Sequence, residues 1–525
     1  MTNAADLLAE CLEAEGVDYV FGIPGEELED VLFALRDSDV DFFPVRHEQA
    51  AAFMADVHGR VTGDAGVCLS TLGPGATNLL TGVADAHLDK SPLVAITGQG
   101  GLERLHKESH QALDVVDTFE PIVKWNTQVS APETVPESVR KAFKLAEHEK
   151  PGATHLEVPE DVAAESIDAT PLPTRERVRR PDPDEASLSR AADLIAGSDQ
   201  PIVLAGNGAV RTRAAEQLRA FVETTNVPVV ATFMGKGAVS DADEHSLLTL
   251  ESGPDGESAT AIDRADCVVA VGYDVAEHDP EEWNPGPEKT VIHVDAEPAE
   301  VYRHYNPDVE VVADVSRALE ELTGRLSTEC STWWTDLRER IADDVGVRPD
   351  AGDPVTVRRV LPLLRDAMAD EDVLISDVGS HKMAIAKRFP AYEPNTCIIS
   401  NGLASMGIAV PGGVAADLAL DEDVVVATGD GGFLMNAAEI ETASRLGCSY
   451  TVVVFRDDDY GMISKHQEQH RSEHFGTALS NPDLVAFAES FGIEAHRADD
   501  WEAIEATLND VASADEMTLV EVPLD

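Results

Sequence analysis

Short apolar runs alternate with helix-like segments along most of the chain. The first third begins with a helical pattern over Ala4–Glu15 and continues with apolar runs at 19–21, 67–70 and 93–97. The middle third repeats the pattern with PIVLAGNG, VPVVATF, CVVAVGYD and TVIHVD, and the last third with DVLISD, NTCIIS, DVVVATGDG, SYTVVVF and MTLVEV. Alternating strands and helices are typical of parallel sheets, so the pattern predicts an α/β fold.

Two polar stretches divide this pattern. Residues 166–186 (SIDATPLPTRERVRRPDPDEA) are rich in proline and charge, and residues 345–355 (VGVRPDAGDPV) combine Gly, Pro and Asp. A length of 525 residues suits three domains of roughly 150 residues each. We therefore predict three doubly wound parallel-sheet domains, over residues 1–165, 186–344 and 355–525, of which the first and third can share one architecture.

The charge of the chain is extreme. Against 39 basic residues, of which 11 are Lys and 28 Arg, stand 98 acidic ones, which gives a formal net charge of −59. A surface of this kind repels nucleic acid, so nucleic-acid binding is not expected. It also repels itself unless salt shortens the screening length to about 3 Å at 1 M. The composition indicates a halophilic protein, with an ordinary acidic protein as the alternative.

Cysteine spacing and hydropathy argue against a disulfide-rich, zinc-binding, membrane-spanning or secreted protein. The six cysteines form no CxxC pair and no zinc-like cluster with histidine, which predicts core thiols rather than disulfides or a structural metal. The sequence has no uninterrupted apolar run of about 18 residues, and its acidic N-terminus does not resemble a signal peptide. We expect a cytoplasmic protein without a membrane partner.

One strand of the last third runs into a loop suited to a phosphate and a cation. The run 424–432 (VVVATGDGG) ends in Gly429, Asp430, Gly431 and Gly432, where glycines let backbone N–H groups approach a phosphate. Asp457 follows the next predicted strand, 27 residues after Asp430. The two acids could then share one Mg²⁺ that bridges a diphosphate. The spacing alone leaves open that Gly-Asp-Gly is a structural turn and that Asp457–Asp459 is a solvated acidic loop.

At this point the sequence resembles the thiamine diphosphate-dependent enzymes, and within them the acetolactate synthase large subunits. The resemblance covers essentially the whole chain and carries several long motifs in the family order. These are VFGIPG (20–25), RHEQAAAFMADVHGRVTG (46–63), TLGPGATNLLTGVADAHLDKSPLVAITG (71–98), HQALD (110–114), SNGLASMGIAVPGG (400–413) and GDGGFLMNAAEIETA (429–443). The resemblance implies pyrimidine-binding, central Rossmann-like and diphosphate/Mg-binding domains, in that order.

The family pattern implies a role for several residues near the cofactor. Glu48 matches the glutamate that hydrogen-bonds the aminopyrimidine ring and favours its imino tautomer, which deprotonates the thiazolium carbon; without the motif, a surface ion pair would be the simpler interpretation. Met406 matches the apolar wedge that bends the cofactor, although a core methionine is the alternative, and the Ala404 carbonyl would receive the cofactor amino group. Asp430 and Asp457 correspond to side-chain ligands of Mg²⁺, and Asp459 to a backbone ligand. The remaining cofactor-binding positions implied are Pro24, Gly25, Gly429, Gly431, Gly432 and Met462.

Other positions bear on the substrate and on FAD. Gln111 matches a glutamine near the substrate, and we count it as catalytic. VGYDVAEHDPEEWN (271–284) stands where the FAD-containing biosynthetic enzymes have a GARFDDR-like segment, so FAD is a doubtful cofactor and the glycine turn 205–209 is interpreted as a remnant of nucleotide-binding architecture. Glu26 and Glu27 would disfavour anionic substrates if they face the pocket. His466 stands where the enzymes that favour 2-oxobutyrate have tryptophan.

The resemblance implies decarboxylative carboligation of two pyruvates to 2-acetolactate and CO₂. The alternatives are another thiamine diphosphate-dependent 2-oxoacid decarboxylase or lyase, in which a proton or an aldehyde is the acceptor, or a non-catalytic nucleotide-binding module. Family sites combine the first domain of one subunit with the third domain of another, which implies a homodimer or homotetramer. The acceptor, a biosynthetic or fermentative role, and a regulatory subunit stay open at this stage.

Overall fold

A computed structural model describes residues 2–251, 256–286, 288–326 and 330–525. It contains three six-stranded sheets, each entirely parallel, with helices between the strands. The α/β prediction with three parallel-sheet units is therefore confirmed. Every strand that the apolar runs predict is present, and the first helix spans Ala4–Glu15 as the pattern indicates. No helix in the described ranges is long and apolar enough to cross a membrane.

The first sheet is built from residues 19–159, in the order β3-β2-β4-β5-β7-β6. Two short strands, β1 and β8, pair antiparallel outside it and join the chain start to residues 166–167. The strands of this block are β1 (Thr2–Asn3), β2 (Tyr19–Gly22), β3 (Asp41–Pro44), β4 (Gly66–Ser70), β5 (Leu93–Gln99), β6 (Trp125–Gln128), β7 (Ala153–Pro159) and β8 (Ser166–Ile167). Its helices are α1 (Ala4–Glu15), α2 (Glu29–Arg36), α3 (Glu48–Thr62), α4 (Pro74–Leu88), α5 (Val115–Phe119), α6 (Val135–Glu147) and α7 (Glu160–Ala164).

The middle sheet has the order β11-β10-β9-β12-β13-β14. Counted along the chain this is 3-2-1-4-5-6, the order of dinucleotide-binding folds. Its strands are β9 (Pro201–Ala205), β10 (Val229–Ala231), β11 (Ser246–Thr249), β12 (Cys267–Val271), β13 (Thr290–Asp295) and β14 (Val309–Val312). Its helices are α8 (Glu185–Ala196), α9 (Asn207–Arg211), α10 (Ala215–Thr225), α11 (Glu257–Arg264), α12 (Pro280–Trp283), α13 (Val315–Arg325) and α14 (Thr335–Val345).

The last sheet has the order β16-β15-β17-β18-β20-β19. When the strands are numbered within each six-stranded sheet, the first and last sheets share the order 2-1-3-4-6-5, so they have one architecture. The strands are β15 (Val373–Ser376), β16 (Cys397–Ile399), β17 (Val424–Gly429), β18 (Thr451–Arg456), β19 (Glu494–Arg497) and β20 (Thr518–Pro523). The helices are α15 (Val357–Ala367), α16 (Ser380–Arg388), α17 (Ala409–Ala419), α18 (Asp430–Asn436), α19 (Glu439–Leu446), α20 (Gly461–Arg471), α21 (Leu484–Glu489) and α22 (Trp501–Val511).

One hydrophobic core joins the first and last sheets. It includes Phe53 and Val57 of α3 together with Ile375 of β15 and Val414 of α17. The two helices approach closely because α17 carries glycine at the contact: a Cβ on Gly412 would lie 2.9 Å from Val57 Cγ2. Five of the six cysteines are buried as predicted, whereas Cys330 is only half-buried, since it lies in a loop after α13. Packing of α3 on α17 fixes the positions of the two blocks that carry the candidate site.

Candidate active site

Two acidic loops lie side by side at the carboxyl edge of the last sheet. Asp430 follows β17 directly, Asp457 follows β18, and these strands are parallel neighbours. One hydrogen bond joins the two loops, from Asp458 N to Asp430 Oδ2 (3.0 Å), and another lies within the second loop, from Asp459 N to Asp457 Oδ1 (3.2 Å). The structure therefore places the three acids that the sequence singles out as metal ligands on two adjacent loops.

The electrostatics of these acids suit a shared cation. Burial raises the pKa of Asp430. Burial, followed by the negative charge of Asp430, raises the pKa of Asp457 to about 6. Asp459 Oδ1 is buried and has no hydrogen-bond partner among the described residues. Within those residues, no three His, Cys, Asp or Glu side chains converge as a complete ligand set. Two carboxylates with backbone oxygens nearby fit a hard cation that takes its remaining ligands from a diphosphate and water.

Two residues that sequence reasoning missed complete this edge. Asp377 follows β15 and accepts hydrogen bonds from Gly407 N (2.8 Å), Val378 N (2.6 Å) and Thr428 Oγ1 (3.2 Å), while burial raises its pKa to about 6. The His381 ring lies between Gly379 and Gly429, and its buried Nε2 has no partner in the described chain. Burial lowers the pKa of His381 to about 4. The sequence does contain a signal for these two residues: in DVLISDVGSH (372–381) an apolar strand is followed directly by Asp377 and then by Gly379.

The loop that carries Ala404 and Met406 lies beside this edge. Ala404 has a positive φ of 55°, which non-glycine residues rarely adopt. Gly407 N donates to Asp377, and Asn436 Nδ2 donates to the Gly407 carbonyl (2.7 Å). Met406 is half-buried, and Met462, at the start of α20, is 39% exposed. The loop is thus fixed at its C-terminal end by Asp377 and Asn436 of the last block.

Carboxylates of the first block hold the other end of the same loop. Asp85 Oδ1 accepts from Ser400 Oγ (2.8 Å), and Asp89 Oδ2 accepts from Asn401 N (3.0 Å). Arg60 bridges these acids, with distances of 3.2 Å to Asp85 and 2.6 Å to Asp89, and its side chain is only 8% exposed. A buried ion cluster on α3 and α4 therefore positions a loop that lies more than 300 residues away in sequence.

Glu48 and its neighbours form a second group, at the carboxyl edge of the first sheet. Glu48 begins α3, is 8% exposed, and accepts a hydrogen bond from Asn78 Nδ2 (2.9 Å). Its Oε1 would lie 3.4 Å from a Cβ on Gly75, and a Cβ on Gly25 would clash with Thr71. The carboxylate is therefore held within a tightly packed edge.

The residues predicted near the substrate lie on loops at this same edge. Gln111 is exposed, has a positive φ of 54°, and its carbonyl oxygen lies against Gly73. Pro24 is exposed, and Glu27 accepts a hydrogen bond from Thr71 Oγ1 (3.0 Å). The Glu27 carboxylate is thus already engaged within its own block.

No hydrogen bond or ion pair in the described ranges connects Glu48 to Asp430 or Asp457. The blocks touch instead through Glu439, which accepts from the backbone N–H groups of Arg46 and His47 (both 3.0 Å), and through α3 and α17. The Glu48 group and the two acidic loops therefore lie on separate blocks, which meet at Glu439 and between α3 and α17.

In the central sheet, a carboxylate occupies the glycine turn that follows β9. The Glu277 carboxylate accepts from Asn207 N at 3.1 and 3.0 Å, directly after β9, and also bonds to Thr232. Burial and the neighbouring Asp274 raise the pKa of Glu277 to about 8. A phosphate bound at this turn would meet that carboxylate, so the residues present do not fit the phosphates of a nucleotide cofactor.

Three doubly wound sheets, with two acidic loops at the edge of the last and a buried glutamate at the edge of the first, place the chain in the class of α/β proteins that bind a ligand beyond the carboxyl ends of their strands. Three sequence profiles match the chain in this order: the N-terminal TPP binding domain of thiamine pyrophosphate enzymes over residues 2–118, their central domain over 188–322, and their C-terminal TPP binding domain over 377–522. The chain belongs to the thiamine pyrophosphate enzyme family, whose cofactor is thiamine diphosphate.

Within the family the chain is similar to acetolactate synthases. It is 33% identical to a probable acetolactate synthase large subunit of Methanocaldococcus jannaschii, over 100% of this chain and 92% of the relative. It is 32% identical to the acetolactate synthase of Bacillus subtilis, over 100% and 93%. It is 31% identical to a catabolic acetolactate synthase of Raoultella terrigena, over 100% and 95%. The resemblance stated from the motifs is therefore confirmed.

Proposed function

We propose that this protein is an enzyme that condenses two pyruvates to 2-acetolactate and CO₂, with thiamine diphosphate as cofactor. The observation that carries the proposal is the whole-chain similarity, at 31–33% identity, to proteins named acetolactate synthase. The buried Glu48 at the edge of the first sheet and the acidic loops at the edge of the last sheet agree with this proposal. When bound, the cofactor supplies a nucleophilic carbon and an electron sink for decarboxylation.

The residues of the chain have separate tasks in this proposal. Glu48 would hydrogen-bond the aminopyrimidine ring of the cofactor and favour its imino tautomer, and the hydrogen bond from Asn78 holds the buried Glu48 side chain in place for that role. Ala404 and Met406 would contact the cofactor from the loop that Asp85 and Asp89 hold. Gln111, with Pro24 and Gly25 beside it, contacts the 2-oxoacid. Holding both reactants in one orientation supplies much of the rate.

Asp430, Asp457 and a backbone oxygen of Asp459 hold Mg²⁺ at the diphosphate end. The backbone N–H groups of Gly429, Gly431 and Gly432, together with Met462, would hold the diphosphate, and we add His381 because its Nε2 has no partner in the described chain. Burial and then the charge of Asp430 raise the pKa of Asp457. A bound cation would offset that repulsion and link cofactor binding to the two acidic loops.

We propose that residues 1–165, 186–344 and 355–525 act as pyrimidine-binding, central and diphosphate-binding domains. The complete site then forms between two copies of the chain, with Glu48 of one facing Asp430 of the other, in a homodimer or homotetramer. Several relatives are named as large subunits. We further propose a cytoplasmic enzyme adapted to high salt, on its net charge of −59.

We also propose that the enzyme works without FAD, because the Glu277 carboxylate occupies the central glycine turn. The competing proposal keeps thiamine diphosphate but changes the acceptor. Incubation of the salt-buffered enzyme with a panel of 2-oxoacids, followed by mass identification of the products, distinguishes the two. 2-Acetolactate from pyruvate supports the proposal. Acetaldehyde as the main product, or no CO₂ from any 2-oxoacid, contradicts it.

A further inference from the structure

A cavity of about 280 Å³ lies where the three blocks meet. The end of α3, the linker around residues 177–180, α9 and residues 395–399 form its wall. Seven basic and three acidic residues line it, whereas the whole chain has 39 basic and 98 acidic residues. A cavity whose wall reverses the sign of the surrounding protein concentrates anions.

Two of the basic residues on this wall lack an acidic partner. Lys90 and Arg213 have no carboxylate within 4.0 Å among the described residues, and Arg213 donates only to the Thr62 carbonyl (2.8 Å). By contrast, Arg60 is paired with three aspartates, and Lys236 with Asp241 at 3.4 Å. The wall therefore carries two positive charges without an ion-pair partner within 4.0 Å among the described residues.

Arg211 on the same wall has a spare donor. Its Nε donates to Glu149 (2.8 Å) and its Nη1 to Asp274 (3.4 Å), but its buried Nη2 has no hydrogen-bond partner in the described chain. The Arg211 side chain is 10% exposed. Buried guanidinium nitrogens are normally satisfied, so this atom indicates a missing acceptor.

The backbone at the two unpaired cations is also unusual. Lys90 and Arg213 both have a φ of 60°, a region in which only a few per cent of non-glycine residues are found. Such conformations concentrate at functional sites, where the surrounding structure maintains them. Lys90 lies next to Asp89, which holds the Asn401 backbone, so a ligand at this cavity would bind one residue from a carboxylate that holds the loop of Ala404 and Met406.

We propose that this cavity binds a small phosphate-bearing anion, either inorganic phosphate or a phosphate monoester. Two unpaired cations match the charge of about −2 that such a group carries at neutral pH, and Arg211 Nη2 supplies a hydrogen bond. Guanidinium and ammonium groups together are the usual ligands of phosphate. None of the residues proposed to hold thiamine diphosphate lines this cavity, so the site goes beyond the proposed function.

The test is a calorimetric titration of the enzyme saturated with thiamine diphosphate and Mg²⁺, which occupies the diphosphate site. The two probes are inorganic phosphate and AMP. We expect saturable binding of at least one probe, weakened about tenfold or more in Lys90→Gln and in Arg213→Gln, as for the loss of a charge-assisted hydrogen bond. Arg190→Gln, an exposed change of the same charge on α8, should leave the affinity unchanged.

The probes separate two sources of the ligand. Tighter binding of phosphate identifies the free ion, and tighter binding of AMP identifies a phosphorylated metabolite. Absence of saturable binding with both probes, or equal affinity in the wild type and both cavity variants, would overturn the proposal. Since no 2-oxoacid takes part, that failure is distinct from failure of the proposed carboligation.

Discussion

The buried cluster around Arg60 gives a quantitative prediction about stability. Arg60 contacts Asp56 at 2.9 Å, Asp85 at 3.2 Å and Asp89 at 2.6 Å, and its Nη1 donates to the Ile399 carbonyl at 3.1 Å. Arg60→Met keeps much of the volume of the side chain but removes the ion-pair partner of three buried carboxylates. Removing one partner of a buried ion network costs about 3–5 kcal/mol, and we expect that loss in the free energy of unfolding at neutral pH.

The pH dependence distinguishes this mechanism from a simple packing defect. Burial, and then the charges of Asp89 and Asp56, already raise the pKa of Asp85 well above its usual value. A carboxyl with a raised folded pKa favours the folded state at low pH, and that contribution is lost as the pH rises through the folded pKa. Without the charge of Arg60 the pKa of Asp85 rises further, so the loss of stability in the variant should shrink as the pH falls toward about 4.

The assay is denaturant unfolding of the cofactor-free protein at constant salt, at several pH values. Arg190→Met is the matched control, because Arg190 is exposed and has no ion pair among the described residues; it should change stability by less than about 0.5 kcal/mol. A loss below about 1 kcal/mol for Arg60→Met, or a loss that does not vary with pH, would refute the reasoning.

Three further predictions follow from charge, assembly and a buried histidine. Because salt shortens the Debye length from about 10 Å at 0.1 M to about 3 Å at 1 M, the melting temperature should rise over that range; a flat curve would contradict adaptation to high salt. Mixing inactive Glu48→Gln with inactive Asp430→Ala protein should restore part of the activity if the site forms between subunits, whereas a structure with both residues of one chain in one site would argue against it. Burial lowers the pKa of His155, which bonds to Thr97 Oγ1 (2.8 Å), to about 3. The neutral ring therefore stabilises the fold above pH 6.5, and this contribution falls by up to about 1.4 kcal/mol per pH unit below it. His155→Gln should flatten the acid limb of the stability curve, and an unchanged slope would count against this assignment.

Strands buried on both faces were the most predictable part of the fold. In β17 and β12 nearly every residue is apolar and buried, as parallel strands between helices require. The edge strands β6 (WNTQ) and β19 (EAHR) are half-exposed and mixed in polarity, so no apolar run marks them. The shared order of the first and last sheets follows from pairings between distant strands, which local patterns do not encode.

The candidate site likewise has a part that the sequence predicts and a part that depends on contacts between distant segments. Asp430 and Asp457 are predictable because each follows an apolar strand, and parallel neighbours end at one edge. The carboxylates that hold the loop of Ala404 and Met406 are not predictable from local patterns. Asp85 and Ser400 meet only through the packing of α3 and α4 against the last block. Half-burial of Cys330 likewise depends on a loop whose packing the sequence does not specify.

The central claim is that Glu48 performs proton transfer while Asp430 holds the cofactor. Its most direct test measures bound thiamine diphosphate together with pyruvate-dependent CO₂ release in Glu48→Gln and Asp430→Ala. The account predicts that Glu48→Gln stays loaded but turns over roughly 10² to 10⁴ times more slowly, the usual loss for a general acid–base group. Asp430→Ala should purify largely without cofactor, because the diphosphate loses its Mg²⁺ ligand. Near-normal turnover in Glu48→Gln, or full occupancy in Asp430→Ala, would contradict the account.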